Sequence, residues 1–344
     1  MKSIFLTGGT GFLGKALLEA IESDFDQIFL LSRRSEFDPS IVSLKSRYPK
    51  LILIKGDLSD PNLVAIADQL KEVTQALHLG GLYDFKASDS ENFSTNITGT
   101  HNFLALCGAL PNLERIGFAS SVAVAGDFNG VFNEDMFNVG QKFSDSYAFS
   151  KFRAEGLIGG FEFPGEKVFF RYGVLVGDSR TGRVDKVDGP YYMIEALLGL
   201  KKKIRLIKYG LVTPLPFDEK GIIHMIPVDV SAQATAAVLR SEAHKGVSRN
   251  YHIVGRPLAT KELIVRILRF VGLSENTYAL KKGFLSKSIL KRFHIPDSLL
   301  HYLYVRTRFD YSQFSRDFPE IVFPTFDQYE KAFFSVFDTR EESK

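Results

Sequence analysis

Apolar and polar positions follow two rhythms along this 344-residue chain. Ser3-Ile4-Phe5-Leu6 is a short apolar run of the length of a buried strand. Leu13, Ala16, Leu17, Ala20 and Ile21 then recur at the spacing of one helix face. Strand-like runs return at 27–31, 51–54, 74–79, 115–121 and 168–171. Helical stretches lie between them, such as 96–109 with Ile97, Phe103, Leu104 and Cys107 facing inward. Apolar strands alternating with helices predict a doubly wound parallel sheet of Rossmann type, an α/β fold. Past Gly177 this rhythm fades. Asp178-Ser179-Arg180-Thr181-Gly182 and Asp188-Gly189-Pro190 are rich in turn formers. A strand over 222–228 and an alanine-rich helix over 231–239, capped by Asp229, are expected further on. The predicted division is a cofactor-binding core over 1–176, a smaller mixed C-terminal substrate-binding lobe over 177–338 interleaved with that core, and a polar tail over 339–344.

Composition changes this picture little. The hydrophobic fraction of 45% is that of a globular enzyme. A net charge of +3 speaks against bulk nucleic-acid binding. The single cysteine, Cys107, excludes an internal disulfide framework and suits a reducing compartment. The N-terminal apolar run is too short for a signal peptide, and no run reaches the length of a membrane span. A cytoplasmic protein is expected. Two basic stretches, 201–208 and 281–292, leave contact with a membrane surface or an acidic partner open.

Thr7-Gly8-Gly9-Thr10-Gly11-Phe12-Leu13-Gly14 stands where the first strand turns into the first helix. Gly8, Gly11 and Gly14 let backbone approach a pyrophosphate and let helix pack on strand, while the helix N-terminus offers free N–H groups. The second strand ends in Ser32-Arg33-Arg34, with no carboxylate to accept from ribose hydroxyls. Two guanidiniums and a hydroxyl suit the extra phosphate of NADP. Asp57, at the end of the third strand, could accept from an adenine amino group or cap a helix opening near Pro61. His78 reads as structural, Gly80-Gly81 as a turn the cofactor can cross, and Asn96 as a helix N-cap on local grounds.

Tyr147 and Lys151 lie four apart on a predicted helix and share one face. A tyrosine ordinarily titrates near pH 10, and a neighbouring ammonium favours its phenolate. Ser121, at the end of the fifth strand, would hold a substrate oxygen for Tyr147. Tyr191, Tyr192, Met193, Ala196, Leu197 and Leu198 could wall an apolar tunnel or form plain core.

With these residues in view, the chain resembles an extended short-chain dehydrogenase/reductase, and within that group the thioester reductase and fatty acyl-CoA reductase branch. TGGTGFLG at 7–14, GDLSDP at 56–61, HLGGLYD at 78–84, NITGT at 96–100, ASSVAVAG at 119–126 and YAFSK at 147–151 carry the resemblance. VLVGDSRTGRVDKVDGPYY at 174–192, IPVDVSA at 226–232 and RFDYS at 308–312 extend it over nearly the whole chain, and the GDSRTG…DGPYY segment points to acyl reductases. The resemblance implies a catalytic triad of Ser121, Tyr147 and Lys151. It implies NADP(H) held by Gly8, Thr10, Gly11, Phe12, Leu13, Gly14, Ser32, Arg33, Arg34, Asp57, Leu58, Gly80, Asn96, Tyr147, Lys151, Tyr172 and Val174, and no metal. Tyr172 departs from the proline usual at its position. The implied activity is NADPH-dependent reduction of an acyl thioester, on coenzyme A or an acyl carrier protein, to an aldehyde or on to an alcohol. The alternatives are a sterol-like or nucleotide-sugar substrate, and a cofactor-sensing protein without turnover.

Overall fold

The computed structural model describes residues 1–81, 94–185, 189–203, 213–281, 283 and 302–341. Seven strands form the main sheet: β1 Ser3–Thr7, β2 Gln27–Ser32, β3 Leu51–Lys55, β4 Gln75–His78, β5 Arg115–Ser121, β6 Glu166–Tyr172 and β7 Ser248–Ile253. Their order is β7-β6-β5-β4-β1-β2-β3, and each neighbouring pair runs parallel. The order reverses direction between β1 and β4, so the loops after these two strands diverge and leave a crevice at their carboxyl ends.

Helices cover both faces, which is why the inner strands β1, β2 and β4 read as largely apolar runs. They are α1 Phe12–Ile21, α2 Pro39–Arg47, α3 Gly99–Gly108, α4 Ser146–Gly160, α5 Pro190–Lys203, α6 Val228–Arg240, α7 Thr260–Val271, α8 Ser312–Asp317 and α9 Phe326–Glu341. Ile4 and Leu6 of β1 pack with Leu17, Leu18 and Ile21 of α1 and with the alanine face of α6. Phe5 points the other way, into Phe103 and Cys107 of α3 and Ile158 of α4. A third core joins α5, α7 and α9 through Tyr191, Ile194, Ile264, Leu268 and Phe333.

Two expectations about the later chain change. The strand over 222–228 is broken at His224 into Ile222–Ile223 and Met225–Pro227, because the first piece pairs antiparallel with Leu258–Ala259 and the second parallel with Val174–Val176. The alanine-rich helix starts at Val228, so Asp229 lies inside its first turn. Its carboxylate accepts from Ser179 N and Oγ at 2.8 and 2.6 Å, tying the 178–182 loop to the helix rather than capping it. The basic stretches 201–208 and 281–292 lie largely outside the described residues, as does the end of the polar tail.

Candidate active site

The glycine loop is held at van der Waals limits. Gly8 has φ +72°, and a Cβ on it would lie 2.6 Å from Gly80 N. One on Gly14 would lie 2.5 Å from Gly8 O. Loop, β4 turn and α1 therefore touch backbone to backbone, and only glycine permits it. The N-terminus of α1, capped at Gly11 without a side-chain bond, faces the crevice with free N–H groups.

A cleft of about 870 Å³ runs from this loop into the C-terminal half. Gly8, Thr10, Gly11, Phe12, Leu13 and Gly14 line one wall, and Ser32, Arg33, Arg34, Asp57, Leu58 and Gly80 continue it. Ser121, Tyr147, Lys151, Tyr172 and Val174 line the middle. Every residue expected at the site thus reaches the cleft except Asn96. The helix-cap expectation for Asn96 is also corrected. Ser94–Thr98 is a wide π-type turn continuous with α3, so Asn96 sits within helical backbone. Its buried amide donates from Nδ2 to Ser150 Oγ at 2.8 Å, behind the cleft wall.

At the end of β2, Ser32 Oγ accepts from Arg34 N at 3.1 Å. The Arg34 guanidinium bonds Ser40 Oγ and lies 3.8 Å from Asp38, whose carboxylate caps α2 through Ser40 N at 2.9 Å. Asp38 is held below the usual carboxylate range by its bonds to Ser40 and by Arg34. Arg33 is exposed. Lys55, paired with Ser32 in register, donates to Arg33 O and adds a third cation that sequence reading missed. The signal was present: the β2 and β3 ends are neighbours in this sheet order. Asp57 caps no helix. It accepts from Ser59 N at 2.9 Å in a tight turn, and the 3-10 helix Leu63–Leu70 begins later.

The candidate catalytic groups converge from two elements. β5 ends at Ser121, whose Oγ accepts from Ala123 N at 3.1 Å and starts a short 3-10 turn. That turn packs Ala123 against Tyr147. Asp145 caps α4 by accepting from Ala148 N at 2.8 Å, which sets Tyr147 in the first turn and Lys151 one turn on. Lys151 is buried, donates to Ala119 O at 2.8 Å and lies 5.0 Å from the Phe118 ring centroid. Burial presses its pKa down to about 8, and the Glu155 carboxylate partly opposes this.

Glu155 is a second group the sequence reading missed. Its carboxylate accepts from Ser120 Oγ and from Arg171 Nε and Nη2 at 3.0 and 2.6 Å, all buried. The pair ties α4 to β5 and β6. Nothing in the linear pattern marks it beyond charged residues at otherwise apolar positions. Tyr172 is buried, and its hydroxyl pairs with Thr235 Oγ1 at 2.7 Å. Thr235 gives its own proton to Ser231 O, so Tyr172 is the donor, and burial pushes its phenol above the ordinary range. Tyr172 is therefore a wall, with its acid end turned toward α6.

Beyond Val174 the cleft is walled by Val184, Tyr191, Met193, Ile223, Leu263 and Leu303. Of the tunnel candidates, Tyr191 and Met193 line it. Leu197 belongs to the core, and Leu198 packs against it. Among the described residues no cluster of His, Cys, Asp or Glu could hold a metal ion, and no helix is long and apolar enough to cross a membrane.

The parallel sheet, the crevice at its switch point and the glycine cradle define an extended short-chain dehydrogenase/reductase, a nicotinamide-dependent oxidoreductase fold. The chain belongs to the Male sterility protein family, whose profile matches residues 6–235. It is 28% identical over 259 residues to the polyketide synthase-nonribosomal peptide synthetase ffsA of Aspergillus flavipes, covering 71% of this chain and 6% of that protein. It is 24% identical over 289 residues to the fatty acyl-CoA reductase wat of Drosophila melanogaster, covering 69% of this chain and 53% of that one. The chain thus spans about half, or far less, of the length of these relatives. Among solved structures, the terminal R domain of the myxalamid PKS-NRPS pathway superposes with TM-score 0.76 at 20% identity, covering 99% of this chain and 91% of the other.

The cradle fits a nicotinamide dinucleotide. Gly8, Gly14 and Gly80 leave no room for a Cβ, and the α1 N-terminus faces the same space.

Proposed function

We propose that this protein reduces an acyl thioester, carried on coenzyme A or an acyl carrier protein, to an aldehyde with NADPH. The observation that carries the reading is the continuity of one cleft. The same cavity holds the glycine cradle, the Arg33 face, Ser121, Tyr147 and Lys151, and an apolar branch past Met193, Ile223, Leu263 and Leu303. That branch suits an acyl chain better than a sugar, whose hydroxyls would lose water there without gaining partners. A sensor without turnover has no use for a hydroxyl, a phenol and a buried ammonium in one cleft.

Gly8, Gly11 and Gly14 would hold the pyrophosphate, Arg33 the additional phosphate, and Lys151 the nicotinamide ribose. The chemistry that the nicotinamide would supply when bound is a hydride for the thioester carbonyl carbon. Ser121 and Tyr147 would donate to the carbonyl oxygen as it gains negative charge, a contact that strengthens toward the transition state. Tyr147 would give its proton, and Lys151 would lower the cost of the phenolate left behind. Breaking the carbon–sulfur bond of the resulting hemithioacetal releases a thiol and an aldehyde.

The test is NADPH consumption against a panel of acyl-CoAs, carrier-bound acyl groups, free aldehydes and nucleotide sugars, with thiol release measured alongside. Stoichiometric thiol release with an acyl thioester is the expected result. Turnover confined to nucleotide sugars would refute the reading.

A further inference from the structure

A continuous chain of buried hydrogen bonds runs from the glycine loop to the catalytic helix, and His78 stands at its centre. Gly80 N donates to Thr7 Oγ1 at 3.0 Å, and Thr7 Oγ1 lies 2.7 Å from His78 Nδ1. His78 Nε2 lies 3.1 Å from Thr100 Oγ1, which donates to Asn96 O at 2.6 Å. Asn96 Nδ2 donates to Ser150 Oγ, and Ser150 Oγ donates to the carbonyl of Tyr147, each at 2.8 Å.

The proton count leaves one arrangement. Thr100 has one hydroxyl proton and gives it to Asn96 O, so it accepts from His78 Nε2–H. His78 Nδ1 is then bare and accepts from the Thr7 hydroxyl, which accepts in turn from Gly80 N–H. Ser150 spends its proton on Tyr147 O, so it must accept from the Asn96 amide nitrogen. That choice turns Asn96 Oδ1 toward Lys151. Both Asn96 Oδ1 and Lys151 Nζ lie close to Gly81, at 3.1 and 3.0 Å from where its Cβ would be.

We propose that His78 is a positioning residue: through Thr100 and the Asn96 turn it fixes where Tyr147 and Lys151 stand relative to the glycine loop. The proposal rests on the reading of Tyr147 and Lys151 given above. The His78 ring is fully buried and stacks on Phe103 with centroids 4.7 Å apart, so it has no freedom to swing away. Burial and the Lys151 ammonium press its pKa down to about 3, which keeps the ring neutral across the working pH range, and the two threonine hydroxyls fix its tautomer. Among the described residues, Glu155 on its own helix and His78 from β4 act on Lys151 electrostatically, and Arg171 from β6 pairs with Glu155.

Two amide variants cut the chain at different links. In His78→Gln the amide nitrogen falls near the place of Nε2 and keeps the bond to Thr100. In His78→Asn the shorter side chain reaches Thr7 and loses Thr100. Thr100→Val removes the shared hydroxyl at constant shape. Two readouts are taken below the unfolding temperature of each variant: kcat and KM for NADPH-driven reduction, and the titration of isotopically labelled Lys151 by NMR in the protein without cofactor. His78→Asn and Thr100→Val should lose up to about a hundredfold in kcat, the cost of a catalytic group displaced by about 1 Å. Their KM values should hold within about threefold, and the Lys151 titration should move. His78→Gln should stay near wild type in both readouts.

Wild-type kcat and an unmoved Lys151 titration in a folded His78→Asn or Thr100→Val protein would overturn the proposal, as would equal losses in His78→Gln and His78→Asn. Tyr147→Phe in the same series separates the two claims. Full activity there refutes the functional reading, while the Lys151 titration still reports on His78.

Discussion

Replacing Arg33 by alanine tests how the cleft chooses its cofactor. Three cations meet at the β2 and β3 ends, and they are not equivalent. Arg34 is already engaged by Ser40 and Asp38, so turning it to a phosphate would cost those contacts. Lys55 is occupied with Arg33 O. Arg33 is exposed on the cleft wall, as Arg34 is, but no bond among the described residues holds its guanidinium. A hydrogen bond to a charged group contributes about 1.5–3 kcal/mol, and exposure favours the lower end. Arg33→Ala should therefore weaken NADPH by roughly tenfold or somewhat more, with NADH changed by less than about twofold. Cofactor fluorescence titration at two ionic strengths measures both. The wild-type preference for NADPH should shrink as salt rises, because screening acts on exposed charge, and the variant should show a flatter salt response. Lys55→Ala and Arg34→Ala, which remove cations already engaged elsewhere, should each move less than Arg33→Ala. Equal wild-type dissociation constants for NADPH and NADH, or equal losses for both in Arg33→Ala, would refute the reasoning.

Lys151 carries a pH prediction. Its folded pKa of about 8 means the ammonium is lost as pH rises through that value, so kcat should fall on the alkaline side near pH 8. An alkaline limb that persists unchanged in Lys151→Met would contradict this. The sign for stability is opposite: between pH 8 and the ordinary lysine value of about 10.5 the unfolded chain binds the extra proton, so burial of Lys151 costs less stability as pH rises. Arg115 is buried against Glu166 at 2.6 Å and also donates to Val238 O and Glu242 O beyond the end of the α6 alanine face. Arg115→Met should cost about 3 kcal/mol in denaturant unfolding, because it leaves the buried Glu166 carboxylate with Arg249 alone at 3.3 Å and takes the donor from the Val238 and Glu242 carbonyls. A double change with Glu166→Leu should recover much of this, and a single-variant loss below about 1 kcal/mol would count against the argument.

The parts legible in the sequence were those set by local periodicity and short spacing. The glycine loop, the strand rhythm to Arg171 and the Tyr147–Lys151 pair each follow from neighbours within a few residues. The return of 248–253 into the main sheet was not legible. Ser248-Arg249-Asn250 is polar, and its place beside β6 depends on contacts with Asp317 and Glu166, remote in sequence. Asn96 and Asp229 were misjudged for a related reason. Both have the chemistry of a helix cap, and long-range partners claimed them: Ser150 for one, Ser179 for the other. His78 read as structural because a buried histidine between apolar neighbours usually is. Its two hydroxyl partners come from residues 7 and 100 and meet only in the fold.

The central claim is that Tyr147 serves the carbonyl oxygen as acid in a cofactor-loaded cleft. Single-turnover hydride transfer in Tyr147→Phe, beside an NADPH titration of the same protein, tests it most directly. The phenylalanine keeps the ring against Ala123 and removes only the hydroxyl. The hydride-transfer rate should fall by about a hundred- to ten-thousandfold, the span of general acid catalysis, with NADPH affinity nearly unchanged. Hydride transfer at the wild-type rate would contradict it.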